Sequence, residues 1–327
     1  MEHRQKSLVI CLTPLQMLIA EKIIEKNINQ EFDLLVISLF DNEKYRYYFN
    51  RLKESVNVAN YYIYHPSNKM KNLKNFLNFK NFFKTNYSEY KNYKNYYLAS
   101  IDSRHCQWIL SLAPVNCNLY TFDDGTANIF PNSIYYVDKK NNLLTKIFLR
   151  LQGVKLMTLN LKNISKKHFT IYHNIPNAFN NVENISLFSN IKNAEKSKKR
   201  VIKILLGQPL YEISSELDYD YVNKVIKNLN IDHYFPHPRE NLTKFKNINN
   251  VEILKTDLIF EDFVVDFMRE NSDVALEIYS FTSSAAINCS GLDGVNVFFI
   301  FNDIIDSENS SIYLILKKIG FNFLIIN

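Results

Sequence analysis

Short apolar runs rich in β-branched residues alternate with longer helical stretches along the whole chain. In the first half, this pattern predicts strands at residues 8–12, 32–39, 56–64, 96–101 and 118–122. It begins again after residue 200, with strands predicted at 201–206, 231–235, 274–278, 295–301 and 323–326. Such alternation is typical of parallel sheets with helices on both faces. We therefore predict an α/β protein with two Rossmann-like domains, residues 1–190 and 191–327, facing across a cleft.

The sequence lacks the signatures of several ligand classes. It contains neither G-x-G-x-x-G nor G-x-x-x-x-G-K-[ST], so dinucleotide and P-loop sites are not indicated. Its four cysteines, Cys11, Cys106, Cys117 and Cys289, are scattered and form no C-x-x-C motif. We expect free thiols in a reducing cytoplasm, and neither a disulfide framework nor a metal site. No apolar run approaches the ~20 residues of a membrane-spanning helix, so a cytoplasmic protein is predicted.

The net charge of +6 is concentrated in residues 69–94, where seven lysines and a single acid, Glu89, alternate with many aromatic residues. One interpretation is a solvated helix whose aromatic face joins the core. A second is a basic amphipathic surface that contacts an anionic membrane. A nucleic-acid surface is the third and weakest interpretation, and no nucleic-acid partner is predicted.

One candidate site follows the strand predicted at 231–235. Pro236 and Pro238 keep the backbone around His237 extended at the end of this strand. A histidine there, with Arg239 beside it, suits the departure of an anionic phosphate, because it can donate a proton or a hydrogen bond to the phosphate oxygen. A strand-end turn with a solvent-facing histidine explains the tripeptide equally well.

A second candidate site follows the strand predicted at 274–278. Four hydroxyl residues, Ser280, Thr282, Ser283 and Ser284, stand at the predicted start of a helix. Helix capping needs only one hydroxyl, so this density indicates a phosphate site. The residues predicted to bind a phosphate-containing ligand are Gly207, Pro238, Arg239, Tyr279, Thr282, Ser283 and Ser284.

Carboxylates supply the candidates for a general base. Asp123 and Asp124 directly follow the strand predicted at 118–122, and Gly125 makes an ordinary Asp-Gly turn the competing explanation. Glu212 is the first carboxylate after the turn at residues 207–209. A surface charge is the ordinary explanation for Glu212 taken alone. Thr13 and Pro14 are predicted to cap a helix over Pro14–Lys26.

Taken in order, seven segments resemble the lipooligosaccharide sialyltransferases of glycosyltransferase family 52. They are LTPLQM at 12–17, EKYRYYFN at 43–50, YLAS at 97–100, TFDDGTAN at 121–128, ILLGQP at 204–209, HPR at 237–239 and EIYSF at 277–281. The resemblance implies a GT-B fold with an N-terminal acceptor domain and a C-terminal CMP domain.

The resemblance also implies an activity. Family members transfer sialic acid from CMP-sialic acid to a terminal galactose of a glycolipid with inversion, and they need no metal or other cofactor. They are peripheral to the inner membrane and form dimers, so the implied partners are the donor, the glycolipid, the membrane surface and a second copy. His237 would be the general acid, and the implied linkage is α2,3.

The chain departs from the family pattern at one position. Leu210 stands where the family carries the aspartate that acts as base. Glu212, Asp123 or Asp124 would have to take over that role. Two alternative hypotheses follow, namely transfer of another sugar such as glucose, and a catalytically inactive relative that binds a glycan or a nucleotide.

Overall fold

The computed structural model describes residues 4–66, 68–136, 143–188, 200–245, 251–308 and 312–326. The chain divides into two compact units, Met1–Leu187 and Phe188–Asn327. The boundary falls after Leu187, whereas the sequence predicts it after residue 190. Each unit is built on its own parallel sheet and is described by itself.

The first unit contains a seven-stranded sheet. Its strands are β1 (Gln5–Cys11), β2 (Gln30–Ser38), β3 (Val58–Ile63), β4 (Asn95–Leu98), β5 (Asn118–Phe122), β6 (Ser165–Thr170) and β7 (Val182–Asn184). They pair in the order β3-β2-β1-β4-β5-β6-β7, and each pairing is parallel. The order reverses between β1 and β4, which is the position where ligands bind in open α/β sheets.

Among the described residues, six α-helices accompany this sheet. They are α1 (Pro14–Lys26), α2 (Glu43–Lys53), α3 (Lys69–Asn86), α4 (Arg104–Leu112), α5 (Leu143–Leu151) and α6 (Thr158–Ile164). The predicted cap of α1 is confirmed, because the Thr13 side chain accepts a hydrogen bond from the Gln16 backbone N–H at 3.3 Å. The capped turn fixes the path of the chain directly after β1.

The aromatic residues of α3 belong to the core. Phe76, Phe79 and Phe83 are at most 2% exposed, and their rings lie 5.7–6.2 Å from that of Trp108 on α4. The exposed face of the helix carries lysines such as Lys74. The interpretation of this segment as a solvated helix with an aromatic core face is therefore confirmed.

The second unit contains a six-stranded sheet. Its strands are β8 (Arg200–Leu206), β9 (His233–Phe235), β10 (Glu252–Ile253), β11 (Val274–Ser280), β12 (Val295–Phe301) and β13 (Asn322–Ile325). The order is β10-β9-β8-β11-β12-β13, and it reverses between β8 and β11. The helices are α7 (Tyr219–Leu229), α8 (Phe260–Glu270), α9 (Ser284–Cys289), α10 (Asp303–Glu308) and α11 (Ile312–Lys318).

Candidate functional site

In the second unit, the candidate residues cluster at the carboxyl edge of the sheet. β8 pairs in parallel with β9 on one side and with β11 on the other. The segments that follow these strands, 207–209, 236–240 and 281–284, therefore emerge at one edge. This edge includes the point where the strand order reverses, which favours it as a ligand site.

His237 begins a β-turn directly after β9. The backbone N–H of Glu240 donates to the His237 carbonyl at 2.9 Å. Pro238 takes the second position of the turn, where its fixed φ is favoured. The His237 Nδ1 atom accepts a hydrogen bond from the Arg239 backbone N–H at 3.2 Å. The neutral imidazole consequently carries its proton on Nε2, and that nitrogen is a donor.

Glu240 holds this turn in place. One carboxylate oxygen accepts from the Tyr234 hydroxyl at 2.6 Å, and the other accepts from the His237 backbone N–H at 2.7 Å. Burial raises the pKa of Glu240, and the two hydrogen bonds oppose that shift. Sequence reasoning missed Glu240, although an acid three residues after the histidine of a proline turn is the available signal.

Gly207 provides the space that Glu240 needs. A Cβ atom at this position would lie 2.2 Å from Glu240 Oε2 and 2.5 Å from the Tyr234 hydroxyl. No side chain fits there without displacing the carboxylate that holds His237. Gly207 therefore has a packing role, and its predicted role in donor binding stays a prediction.

Arg239 and Glu212 form an ion pair, Nη1 to Oε2. Their side chains are 60% and 40% exposed, so the pair adds little to stability. The guanidinium contacts the carboxylate that was a candidate base, and the role of Glu212 as a base stays a prediction. Leu210 is 1% exposed and packs into the core, so this position offers no polar group to a substrate.

The hydroxyl turn after β11 is organised by Gln208. Its side-chain oxygen accepts from the backbone N–H groups of Phe281 at 3.1 Å and Thr282 at 2.8 Å, and its nitrogen donates to the Thr282 hydroxyl at 2.9 Å. These two backbone donors are therefore occupied by the protein. The sequence-based candidates omitted Gln208.

The hydroxyls of this turn divide into two groups. Ser280 is fully buried and accepts from the Ser283 N–H at 3.0 Å, while Ser283 caps α9 by accepting from the Ala285 N–H at 3.3 Å. Thr282 and Ser284 are partly exposed. The Thr282 hydroxyl accepts from Gln208 and keeps its own hydrogen for an external acceptor.

Tyr279 lies on β11 and is 5% exposed. Its hydroxyl donates to Glu277 at 2.6 Å, and its ring stacks on Phe298 with the centroids 5.3 Å apart. Burial and the Glu277 charge raise the pKa of the Tyr279 phenol. These contacts give Tyr279 a structural role, and its predicted role in donor binding stays a prediction.

In the first unit, Asp124 is the centre of a second polar cluster. Its Oδ1 accepts from Gln16 Nε2 at 2.6 Å, and its Oδ2 accepts from the Ser100 hydroxyl at 3.0 Å and the Tyr135 hydroxyl at 2.9 Å. Gln16, Ser100 and Asp124 follow β1, β4 and β5, so they share the carboxyl edge where the strand order reverses.

Asp124 combines partial exposure with neutral partners. Its three hydrogen-bond partners are all uncharged donors. Burial and the charges of Asp124 and Asp102 raise the pKa of Tyr135, so its hydroxyl remains protonated and donates. Asp124 is partly exposed, and a carboxylate accepts about four hydrogen bonds, which leaves room for a hydroxyl group.

Asp123 points into the core and is fully buried. It accepts from His168 Nε2 at 2.9 Å, Asn177 Nδ2 at 3.5 Å, the Thr170 hydroxyl at 2.8 Å and the Ile171 N–H at 2.7 Å. These four donors fill the capacity of the carboxylate. The environment of Asp123 therefore argues against its predicted role as a base.

The described residues include no group of three or more His, Cys, Asp or Glu side chains that could hold a metal ion. They also include no helix that is both long and apolar enough to cross a membrane. All four cysteines are free thiols, so the expectation of free thiols is confirmed.

Comparison with known proteins identifies the family. The sequence model of glycosyltransferase family 52 matches residues 29–303, which is most of the chain. The chain belongs to glycosyltransferase family 52. The resemblance seen in the seven ordered segments is thus confirmed, and the chain is a glycosyltransferase.

Two bacterial relatives extend this result. The chain is 34% identical to the CMP-N-acetylneuraminate:beta-galactoside alpha-2,3-sialyltransferase of Pasteurella multocida, over 97% of this chain and 98% of that protein. It is 32% identical to the N-acetyllactosaminide alpha-2,3-sialyltransferase of Haemophilus influenzae, over 90% of this chain and 91% of that protein.

Solved structures resemble this family 52 member in fold. The glycotransferase of kitacinnamycin aligns with a TM-score of 0.54 at 10% identity, covering 98% of this chain and 86% of that chain. A UDP-glucosyltransferase from Polygonum tinctorium aligns with a TM-score of 0.52 at 10% identity, covering 91% of this chain and 80% of that chain. The predicted GT-B fold is confirmed, and identities this low support no statement beyond the fold.

Proposed function

We propose that this family 52 glycosyltransferase moves sialic acid from CMP-sialic acid to a terminal galactose of lipooligosaccharide. The linkage formed is α2,3, and the anomeric configuration is inverted. The observation that carries this proposal is the 34% identity to an α2,3-sialyltransferase over nearly the whole length of both proteins. The second unit would bind the donor nucleotide, and the first unit would bind the acceptor.

On the donor side, His237 is proposed to stabilise the departing phosphate by donating a hydrogen bond from Nε2. As the bond between the sugar carbon and the phosphate oxygen breaks, negative charge develops on that oxygen. The Nε2–H of His237 is the donor that meets this charge, because Nδ1 is already an acceptor. The Thr282 and Ser284 hydroxyls and the Arg239 guanidinium would bind the remaining phosphate oxygens. The ion pair between Arg239 and Glu212 is exposed, so a phosphate can displace the carboxylate at small cost.

On the acceptor side, Asp124 is the proposed general base. It would take the proton of the galactose 3-hydroxyl as the oxygen attacks the oxocarbenium-like sugar carbon. This assignment rests on the partial exposure of Asp124 and its three neutral donors, in contrast with the saturated Asp123 and the ion-paired Glu212. It would restore the base that Leu210 cannot supply.

The proposal includes no metal or other cofactor. CMP carries one phosphate and is a good leaving group, so protein donors alone can stabilise its departure. Activity that persists in EDTA would support this part of the proposal, and a requirement for Mn²⁺ would refute it.

We further propose that the protein is cytoplasmic, that it contacts the inner membrane at its surface, and that it acts as a homodimer. Helix α5 supports the contact, because Leu144, Ile147, Phe148 and Leu151 form an apolar stripe that is 47–82% exposed. Lys146 and Arg150 lie on the same helix, and basic amphipathic helices bind anionic lipid surfaces. Co-sedimentation with anionic vesicles would test the membrane contact, and light scattering would test the homodimer.

A donor comparison tests the proposed activity. Purified protein is incubated in EDTA with lactose and either CMP-sialic acid or UDP-glucose, and release of the nucleotide is measured. Release of CMP that depends on lactose is the expected result. Turnover with UDP-glucose alone would support a different donor, and binding of CMP without turnover of either donor would indicate an inactive relative.

A further inference from the structure

Several polar atoms in the first unit are buried without hydrogen-bond partners. They are Nε and Nη2 of Arg104, both side-chain polar atoms of Gln152, and Nε2 of His105. Gln152 is 7% exposed and His105 is 8% exposed. Buried polar atoms are nearly always hydrogen-bonded, so such a group of exceptions in one region calls for an explanation.

These side chains converge on one aromatic ring. The Arg104 guanidinium carbon lies 4.2 Å from the centroid of the Phe76 ring, and the Lys80 Nζ atom lies 4.8 Å from the same centroid. Lys80 also donates to the backbone carbonyl of Gln152 at 2.6 Å. Helices α3 and α4 thus bring two cations together, and Gln152, directly after α5, contacts one of them through its backbone carbonyl.

The two cations lack an acidic counterpart. Arg46, Arg51 and Arg239 each form an ion pair with a carboxylate. Within the described ranges, no such pair is formed by Arg104 or Lys80. Burial and the neighbouring Arg104 charge lower the pKa of Lys80, which is the effect expected when like charges share a poorly solvated site.

We propose that Arg104, Lys80 and Gln152 form a binding site for a phosphate group. A guanidinium presents a planar fork of donors that matches two phosphate oxygens, and a lysine adds a compact point charge. The amide of Gln152 supplies a further donor. A phosphate dianion neutralises both cations, whereas a carboxylate neutralises only one.

The site lies close in sequence to the proposed base cluster. Arg104 follows Asp102 by two residues, and Asp102 shares the Tyr135 hydroxyl with Asp124. The phosphate can therefore be a free ion or a group carried by the acceptor. This inference goes beyond the proposed function, because binding at this site requires neither CMP-sialic acid nor turnover.

Thermal unfolding with inorganic phosphate tests the site directly. The full chain is compared with Arg104→Gln, Lys80→Gln and the control Lys74→Gln, which changes an exposed lysine on the same helix. Saturating CMP is present throughout, so that the donor side is occupied. We expect phosphate to raise the melting temperature of the wild type and the control. The affinity should fall at least tenfold in Lys80→Gln and be lost in Arg104→Gln.

The same variants distinguish a ligand site from a structural arginine. In phosphate-free buffer, Arg104→Gln should be as stable as the wild type or more stable, because it removes an unpaired and partly desolvated charge. An equal response to phosphate in all four proteins would overturn the proposal. If Arg104→Gln does not fold, Arg104→Lys with a weakened response to phosphate would support the site, and an unchanged response would overturn it.

A second measurement identifies the source of the phosphate. The KM for lactose is compared with that for lactose 1-phosphate in the wild type and in Lys80→Gln. A lower KM for the phosphorylated acceptor, lost in the variant, indicates a phosphate carried by the acceptor. Equal KM values combined with stabilisation by inorganic phosphate indicate a free ion. If the wild type transfers no sialic acid, the proposed function fails, while the unfolding experiment still decides this inference.

Discussion

Replacing Gly207 by alanine tests the packing that holds His237 in place. The new Cβ would lie 2.2 Å from Glu240 Oε2 and 2.9 Å from Tyr234 Cζ. Tyr234 is fully buried, so the strain falls on the carboxylate, which must move by about 1 Å to reach an ordinary contact distance. That movement breaks the 2.7 Å hydrogen bond from the His237 backbone to Glu240.

The expected decrease in the free energy of unfolding has two contributions. Overpacking of a tight site costs about 1–3 kcal/mol. Loss of a hydrogen bond to a charged group costs about 1.5–3 kcal/mol, and the two costs overlap in part. We therefore expect the free energy of unfolding to fall by about 3 kcal/mol. For a domain of this size, that corresponds to a decrease in melting temperature of about 10 °C. Turnover should fall as well, because the imidazole moves with its backbone.

Differential scanning calorimetry and initial rates measure the two effects. Gly291→Ala is the matched control, because an added Cβ there meets no atom within 4 Å and the position has no strained φ. If Gly207→Ala matched Gly291→Ala in both stability and turnover, the argument that Gly207 supports the position of His237 would be refuted.

Three further predictions concern both units. Asp124→Asn should lower turnover by about 10²–10⁴-fold with little loss of stability, whereas Asp123→Asn should mainly lower the melting temperature; equal kinetic and thermal effects in the two variants would contradict this assignment. Gln208→Ala should raise the KM for the donor and destabilise the protein by about 1–3 kcal/mol, because the Phe281 N–H loses its partner; an unchanged KM in steady-state kinetics would argue against Gln208 as the organiser of the turn. Burial and the Arg104 charge lower the pKa of His105 from 6.5 to about 4, so the folded state binds fewer protons than the unfolded state. The contribution of neutral His105 to the free energy of unfolding should be fully present above pH 6.5. It should fall by up to about 3 kcal/mol as the pH decreases to about 4. Chemical denaturation of His105→Phe should show a smaller loss of stability over that range.

Much of the architecture is predictable from the sequence, because buried parallel strands leave a strong apolar signal. β5, β12 and the helix α1 have the predicted limits. The strands near the far edge of the first sheet were not predicted. β6 begins with Ser165, Lys166 and Lys167 and has no apolar run, and β7 has only three residues. Edge strands are solvated in part, so hydrophobic periodicity does not mark them.

The candidate site was harder to predict than the fold. The predicted strands placed His237 and the hydroxyl turn at the same sheet edge, because the carboxyl ends of parallel strands lie at one edge of the sheet. It did not distinguish Asp123 from Asp124, because adjacent residues point to opposite sides and only the tertiary packing decides which is buried. The role of Gln208 depends on contacts over 73 and 74 residues of separation, and these contacts leave no local pattern.

Proton NMR of the transfer reaction tests the central claim most directly. CMP-sialic acid and lactose are incubated with the purified protein in EDTA, and the product is identified by its linkage and anomeric configuration. The account predicts an α-linked sialic acid on the 3-hydroxyl of galactose, formed together with free CMP. A product that requires added Mn²⁺, a product with retained configuration, or transfer only from a different sugar nucleotide would contradict it.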